Sequence, residues 1–437
     1  MHDTIAMDAD RRRTTTSRGG IATVLFLGLA CGVQMSDRGL QSILSPAIRA
    51  SFGVGDAVMG ALHGIAGILI ASALAIPLAR LADRHSRKRI LLALIAAWTA
   101  LTLLGALAPN FALFFAGRAA AGITEFAMIP IVYSLIPDLV GERLRVPANL
   151  VFAALMAVGA SAGFYLGGDL LALMTRLDGA GWLGHLAPWR RTMTLLALAG
   201  LPLLALGALT LDPPRHAGTG EAGTSASLAG FVRGHLRQVL LFVGAAGGVA
   251  IAVQAVVPMI AMALERRFAA DLGAIGHTLG LLTLTGTMLS LPVAWLVDRT
   301  LHGRLGLRAR PALMGSATAL AVPCAALLAF VPSTSAALAL IGAFLLTTCI
   351  ANALIPTMLQ DLAPVALRAR AFAAYSFLIA AFCAVGPVLA GSLSQYLLAD
   401  DLLSAIALAA VPPMTLTLTC TALWCLGPAR ATASAQS

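Results

Sequence analysis

Twelve stretches of this chain are apolar for about 18 residues or more, the length a helix needs to cross a hydrocarbon core about 30 Å thick. They fall near 20–48, 57–80, 89–108, 111–137, 147–175, 192–211, 237–263, 273–297, 311–331, 334–360, 371–398 and 402–427. A lipid core offers no water to backbone groups, so each run must satisfy its own N–H and C=O groups by coiling into a helix. The expected fold class is an all-α, multi-pass membrane protein. Composition agrees: 59% of the 437 residues are apolar and 11% charged, against roughly a quarter charged in soluble domains. Arg11, Arg12, Arg13 and Arg18 precede the first run, as in a secretory leader. That run is too long for a leader's apolar core, and it predicts a retained helix.

A net charge of +10 invites a nucleic-acid reading, but topology accounts for it. With both termini in the cytoplasm, most basic residues fall in cytoplasmic loops, among them Arg80, Arg84, Arg87, Lys88, Arg89, Arg143, Arg145, Arg304, Arg308, Arg310, Arg368 and Arg370. Only Arg49, Arg176, Arg190, Arg191, Arg266 and Arg267 fall outside. This is the bias that orients membrane helices, and it predicts no nucleic-acid partner. Arg38 and Arg118 are left over, inside spans. The six cysteines also lie within spans, without metal-ligand spacing, so neither disulfides nor a metal site is expected. No nucleophile constellation or phosphate loop stands out, and the loops are too short for a catalytic domain. The chain reads as a non-enzyme without a cofactor.

Residues 212–236 form the longest polar interval between spans. They divide the chain into a tail at 1–19, a first six-helix bundle at 20–211, a central cytoplasmic loop at 212–236, a second bundle at 237–427 and a tail at 428–437. The halves resemble each other. "IPDLVGERLR" after span 4 matches "LQDLAPVALR" after span 10, aligning Asp138 with Asp361 and Arg145 with Arg368. Glycine clusters "GFYLGG" and "GPVLAG" follow at the same distance, as an internal repeat requires. Two parallel six-helix repeats related by a pseudo-two-fold axis, enclosing a midplane site about which they rock, are a transporter architecture.

"ARLADRHSRKR", with Asp83, Arg84, Arg87, Lys88 and Arg89, resembles the loop between helices 2 and 3 of the major facilitator superfamily. The pattern's glycines are here Ala79 and Ser86. Asp37-Arg38 in span 1, "GRAAAGITEF" with Glu125 in span 4, and "PWRRTMTL" before span 6 are similar to the Spinster family and its bacterial relatives. The resemblance implies the major facilitator fold, rocker-switch alternating access and a monomer in a bacterial inner (plasma) membrane. That group includes exporters of lysolipids and sphingosine-1-phosphate, which implies a small-molecule, amphiphilic substrate such as a lysolipid. Asp83, Arg84, Arg87 and Lys88 would then form a cytoplasmic gate motif. Topology alone explains the basic residues of that loop but not an acid at Asp83.

The charges inside spans carry the chemistry. An ionisable group in the bilayer costs about 2.5–3.5 kcal/mol on insertion scales unless a wet cavity or a partner receives it. Asp37 sits in the outer part of span 1 and Glu125 near the middle of span 4. Arg118 precedes Glu125 by two turns, about 10 Å, on nearly the same face. Neighbours i and i+1 point about 100° apart, so Asp37 and Arg38 are expected to look across to other helices, with Arg38 or Arg118 paired to Asp37 and Glu125. Burial raises a carboxylate's pKa and a nearby cation lowers it, so such a group can titrate near neutral pH. Glu125, and secondarily Asp37, are the expected proton-coupling residues, with Arg38 and Arg118 as substrate-binding or counter-ion groups. The plain alternative is a static ion-pair network joining helices 1 and 4. The expected function is proton-coupled transport of an amphiphilic or organic anionic solute. A uniporter or organic-anion symporter using the same residues is the other reading.

Overall fold

The computed structural model describes residues 2–70, 86–140, 144–177, 184–210, 228–364 and 367–427, and among them there is no strand. Helix α1 spans His2–Phe52, α2 Asp56–Ile70, α3 Arg87–Ala106, α4 Phe111–Leu139, α5 Arg145–Arg176 and α6 Pro188–Ala208. In the second half α7 spans Leu236–Val256, α8 Leu272–Leu305, α9 Ala309–Phe330, α10 Thr334–Leu362, α11 Arg368–Leu397 and α12 Leu402–Leu426. Eleven of the twelve are long and apolar enough to cross a membrane; α2 is described only as far as Ile70. This is the all-α fold of two six-helix bundles. Large apolar side chains such as Leu29, Trp295, Leu296 and Leu320 point outward, which is stable against lipid and costly against water.

Two of the connecting segments contain helix. The N-terminal tail is continuous with the first span, because α1 runs unbroken from His2; no glycine or proline occurs before Gly19 to stop it. The central interval 212–236 contains the short helix Leu228–Gly234, while 211–227, like 428–437, lies outside the described residues.

The repeat has a structural counterpart. Helices α4 and α10 are each 29 residues long, capped by Asn110 and Ser333, whose side chains accept the N–H of Leu113 and Ala336. Near their other ends the matched acids take matched cations: Arg87 donates to Asp138 at 2.7 Å, and Arg310 pairs with Asp361.

Within the first bundle, α1 and α5 pack closest. Gly32, Gly39, Gly159 and Gly163 line the seam, and a Cβ on Gly39 would stand 2.6 Å from the backbone N of Phe164. Without a hydrophobic force between helices in lipid, such backbone approach provides the packing. Replacing Gly163 with valine would drive the new Cβ into the backbone carbonyl of Ser36. Overpacking typically costs about 1–3 kcal/mol, and a backbone obstacle cannot swing aside, so we expect at least that loss, read as a lowered melting temperature in detergent.

Because the number of spans is even, both termini lie at one end of the molecule, here called the terminal end. Polar contacts between the bundles gather at the far end. Pro258 breaks the helix after α7, and the freed carbonyls of Val257 and Pro258 accept Ser42 Oγ of α1 at 3.2 and 3.0 Å. Ser161 Oγ of α5 donates to the Gly280 carbonyl of α8 at 2.7 Å. Helix α2 meets α11 where Gly60 faces Pro387 and Gly64 faces Ala384.

Candidate functional site

The site forms where α1 passes α4. Gln34, Asp37, Gln41 and Ser45 recur every three or four residues along α1 and share one face; all are buried. Helix α4 presents Arg118 and Glu125. Arg118 Nη1 donates to Asp37 Oδ2 at 2.7 Å and its Nη2 to Gln41 Oε1 at 3.1 Å. Arg38 Nε donates to Glu125 Oε2 at 3.2 Å. The four expected charges therefore come together as two crossed pairs, and the adjacent α1 residues reach two levels of α4.

The pairs differ in access. The side chains of Asp37 and Arg118 are 1% and 4% exposed, a sealed arrangement in which each ion depends on the other. Glu125 is 2% exposed, but its partner Arg38 is 38% exposed. The Arg38 guanidinium also lies 4.5 Å from the ring centroid of Phe126, within cation–π range. Phe126 packs with Ile68, Ala380, Ala384 and Cys383, so α2 and α11 bring apolar surface from both bundles beside that cation. Glu125 Oε1 is buried with no hydrogen-bond partner among the described residues, and so is Gln34 Nε2. A buried carboxylate oxygen without a donor is unusual.

His63 of α2 extends the polar face toward the far end. Its Nε2 is 2.9 Å from Ser45 Oγ, which donates to the Gln41 carbonyl at 2.8 Å. The hydroxyl has one proton, so Nε2 of His63 carries the hydrogen in this arrangement. In the second half Thr287, Thr348 and Thr357 bond carbonyls of their own helices, the usual fate of a helical hydroxyl.

Of the gate motif, Asp83 and Arg84 lie outside the described residues. Arg87 bridges α3 to Asp138 and to the Ser134 carbonyl of α4. Lys88 Nζ donates to the carbonyls of Ala208, the last residue of α6, and of Thr210 just beyond it, where a cation complements the helix dipole.

The sequence reading passed over Asp56. This first residue of α2 is fully buried. Its Oδ1 lies 2.9 Å from Arg49 Nε and 2.7 Å from Arg266 Nη2; its Oδ2 accepts Arg266 Nη1 at 2.7 Å and Ser394 Oγ at 2.6 Å. Arg266 and Ser394 belong to the other bundle. Gln34 and Gln41 were passed over as well, although their spacing with Asp37 and Ser45 was a readable signal.

The family model of the Major Facilitator Superfamily matches residues 26–387. Among curated proteins, the cephamycin export protein CmcT of Amycolatopsis lactamdurans is 27% identical over 209 residues, 46% of this chain and 39% of that one. Protein spinster of Drosophila melanogaster is 26% identical over 218 residues, 49% and 34% of the two chains. These matches thus span less than half the length of the relatives. A crystal structure of a bacterial homolog of the human lysosomal transporter Spinster, inward-facing and unoccupied, superposes with a TM-score of 0.76 at 18% identity, covering 92% and 95% of the chains. A D-xylose-proton symporter gives 0.64 at 13% identity, with 91% and 96% covered. The chain belongs to the Major Facilitator Superfamily, and its fold is Spinster-like.

Proposed function

We propose that this transporter couples protons to the movement of an amphiphilic, lipid-like or organic anionic solute, with Glu125 as the proton-binding residue and Asp37, expected as a secondary one, serving instead as the fixed partner of Arg118. One observation carries the reading: Glu125 Oε1 lacks a donor among the described residues although it is buried, while its counter-ion Arg38 is 38% exposed. When a solute anion takes Arg38, the carboxylate loses its cation, and binding a proton at Oε1 removes the charge left behind. Proton and solute are then linked through one guanidinium.

The apolar surface around Phe126 favours a solute with a hydrocarbon part beside its anionic group. The Asp37–Arg118 pair, sealed as it is, keeps α1 and α4 in register. With the terminal end cytoplasmic, the far-end contacts correspond to an inward-facing arrangement.

The test is transport in proteoliposomes with a fluorescent lysolipid and a small organic anion as probes. A pH gradient imposed across the membrane should drive accumulation of one of them against its own gradient. Equal equilibration with and without the gradient, for both probes, rejects proton coupling and leaves a uniporter.

A further inference from the structure

At the far end a second ionisable contact joins the bundles through residues that the coupling site does not use. His277 Nε2 of α8 lies 2.7 Å from Asp169 Oδ2 of α5. The side chains are 40% and 56% exposed, so water reaches both. Tyr165, one turn before Asp169, lays its ring against the imidazole with centroids 4.5 Å apart. The two helices have little room between them: a Cβ on Gly280 would meet Tyr165 Cβ at 2.7 Å, and one on Gly168 would meet the backbone N of Gly273 at 2.7 Å. Moving the bundles apart at this end must therefore separate His277 from Asp169.

The surrounding charges can be named. Helix α5 contributes Asp169, Tyr165 and, two turns beyond Asp169, the exposed Arg176; the start of α6 adds Arg190 and Arg191, which bond the carbonyls of Ala106, Ala108 and Leu177; and α8 itself begins beside Asp271, whose carboxylate accepts the N–H of Ala274. The neighbouring segment Ile260–Phe268 carries Glu265, Arg266 and Arg267; its arginines pair with Asp56 and Asp401. The far-end turns of α9 and α10 have no charged residue. The far-end ion contacts at Asp56 and Asp401 draw their cations from arginine, which keeps its charge at every physiological pH. Histidine is the side chain whose charge changes between pH 5 and 8.

We propose that Asp169 and His277 form a second proton-binding site, facing the far side, that sets the balance between the closed and open far end. Protonated, the imidazolium and the carboxylate form an ion pair across the bundles and hold the end closed. Deprotonated, they keep only a neutral-donor hydrogen bond, and opening becomes easier. An exposed ion pair shifts such an equilibrium by up to about fivefold. This is enough to matter when the two states are nearly balanced.

The experiment needs no substrate. Spin labels at Leu107→Cys and Phe330→Cys, exposed positions at the far ends of α3 and α9, report the bundle separation; the six native cysteines are replaced by alanine. In nanodiscs of phosphatidylethanolamine and phosphatidylglycerol, raising pH from 5.5 to 8 should lower the closed-to-open ratio by up to about fivefold. His277→Gln should hold the high-pH ratio at both values, and His277→Arg the low-pH ratio. Glu125→Gln should retain the response, which separates this site from the coupling site. No pH dependence in the parent protein, or a full response surviving in His277→Gln, overturns the proposal.

Discussion

Glu125→Gln leaves the protein folded and removes its response to an imposed pH gradient. Glutamine keeps the length of the side chain and an oxygen that accepts from Arg38, so the α1–α4 contact at 3.2 Å survives. Arg38 loses its counter-ion but is 38% exposed, and water takes up part of that charge. What disappears is the group that changes protonation. Each pH unit is worth about 1.4 kcal/mol per proton, so a two-unit gradient sustains about 100-fold accumulation at one proton per solute. The variant should fall to simple equilibration while counterflow, which needs no gradient, continues. Accumulation at the parent level in the variant rejects the role assigned to Glu125.

Asp37→Asn should have the larger effect on stability. Arg118 is 4% exposed, and its other hydrogen-bonded partner is the neutral Gln41. Breaking a buried pair by removing one partner typically costs about 3–5 kcal/mol, whereas replacing both members by apolar groups is often neutral. The single variant is therefore expected to lose thermal stability strongly in detergent. Asp37→Asn combined with Arg118→Met should recover most of it. A single variant as stable as the parent would mean that Arg118 finds another route to solvent, and the division of labour between the two pairs would fail with it.

Much of this molecule is legible in its sequence because the membrane leaves so few alternatives. The apolar runs at 89–108, 111–137 and 402–427 differ from α3, α4 and α12 by a few residues, since an uninterrupted apolar stretch can only coil. The repeat at Asp138 and Asp361 was visible because the same local pairing is built twice. Asp37, Arg38, Arg118 and Glu125 stood out because a charge inside lipid demands a partner. Which partner each takes was not legible. Asp37 and Arg38 are adjacent, and their choice depends on the height at which α4 crosses α1, a tertiary quantity. Asp56 and His277 were harder still. Each sits near a span boundary, where a charge needs no explanation, and only the meeting of two bundles gives it one. The helical course of 2–18 was not legible either, because those residues are polar, yet a polar stretch free of glycine and proline can still coil.

The carboxylate of Asp56 has a consequence for how the far end can part. It is shared by Arg49, which travels with its own bundle, and Arg266, which belongs to the opposite one. Separation takes away Arg266 and the Ser394 hydroxyl together while Arg49 stays in place, so the anion is never abandoned in an apolar wall. The parting step resembles a relay runner letting go of one of two hands, and the closed shape stays firm without becoming a trap.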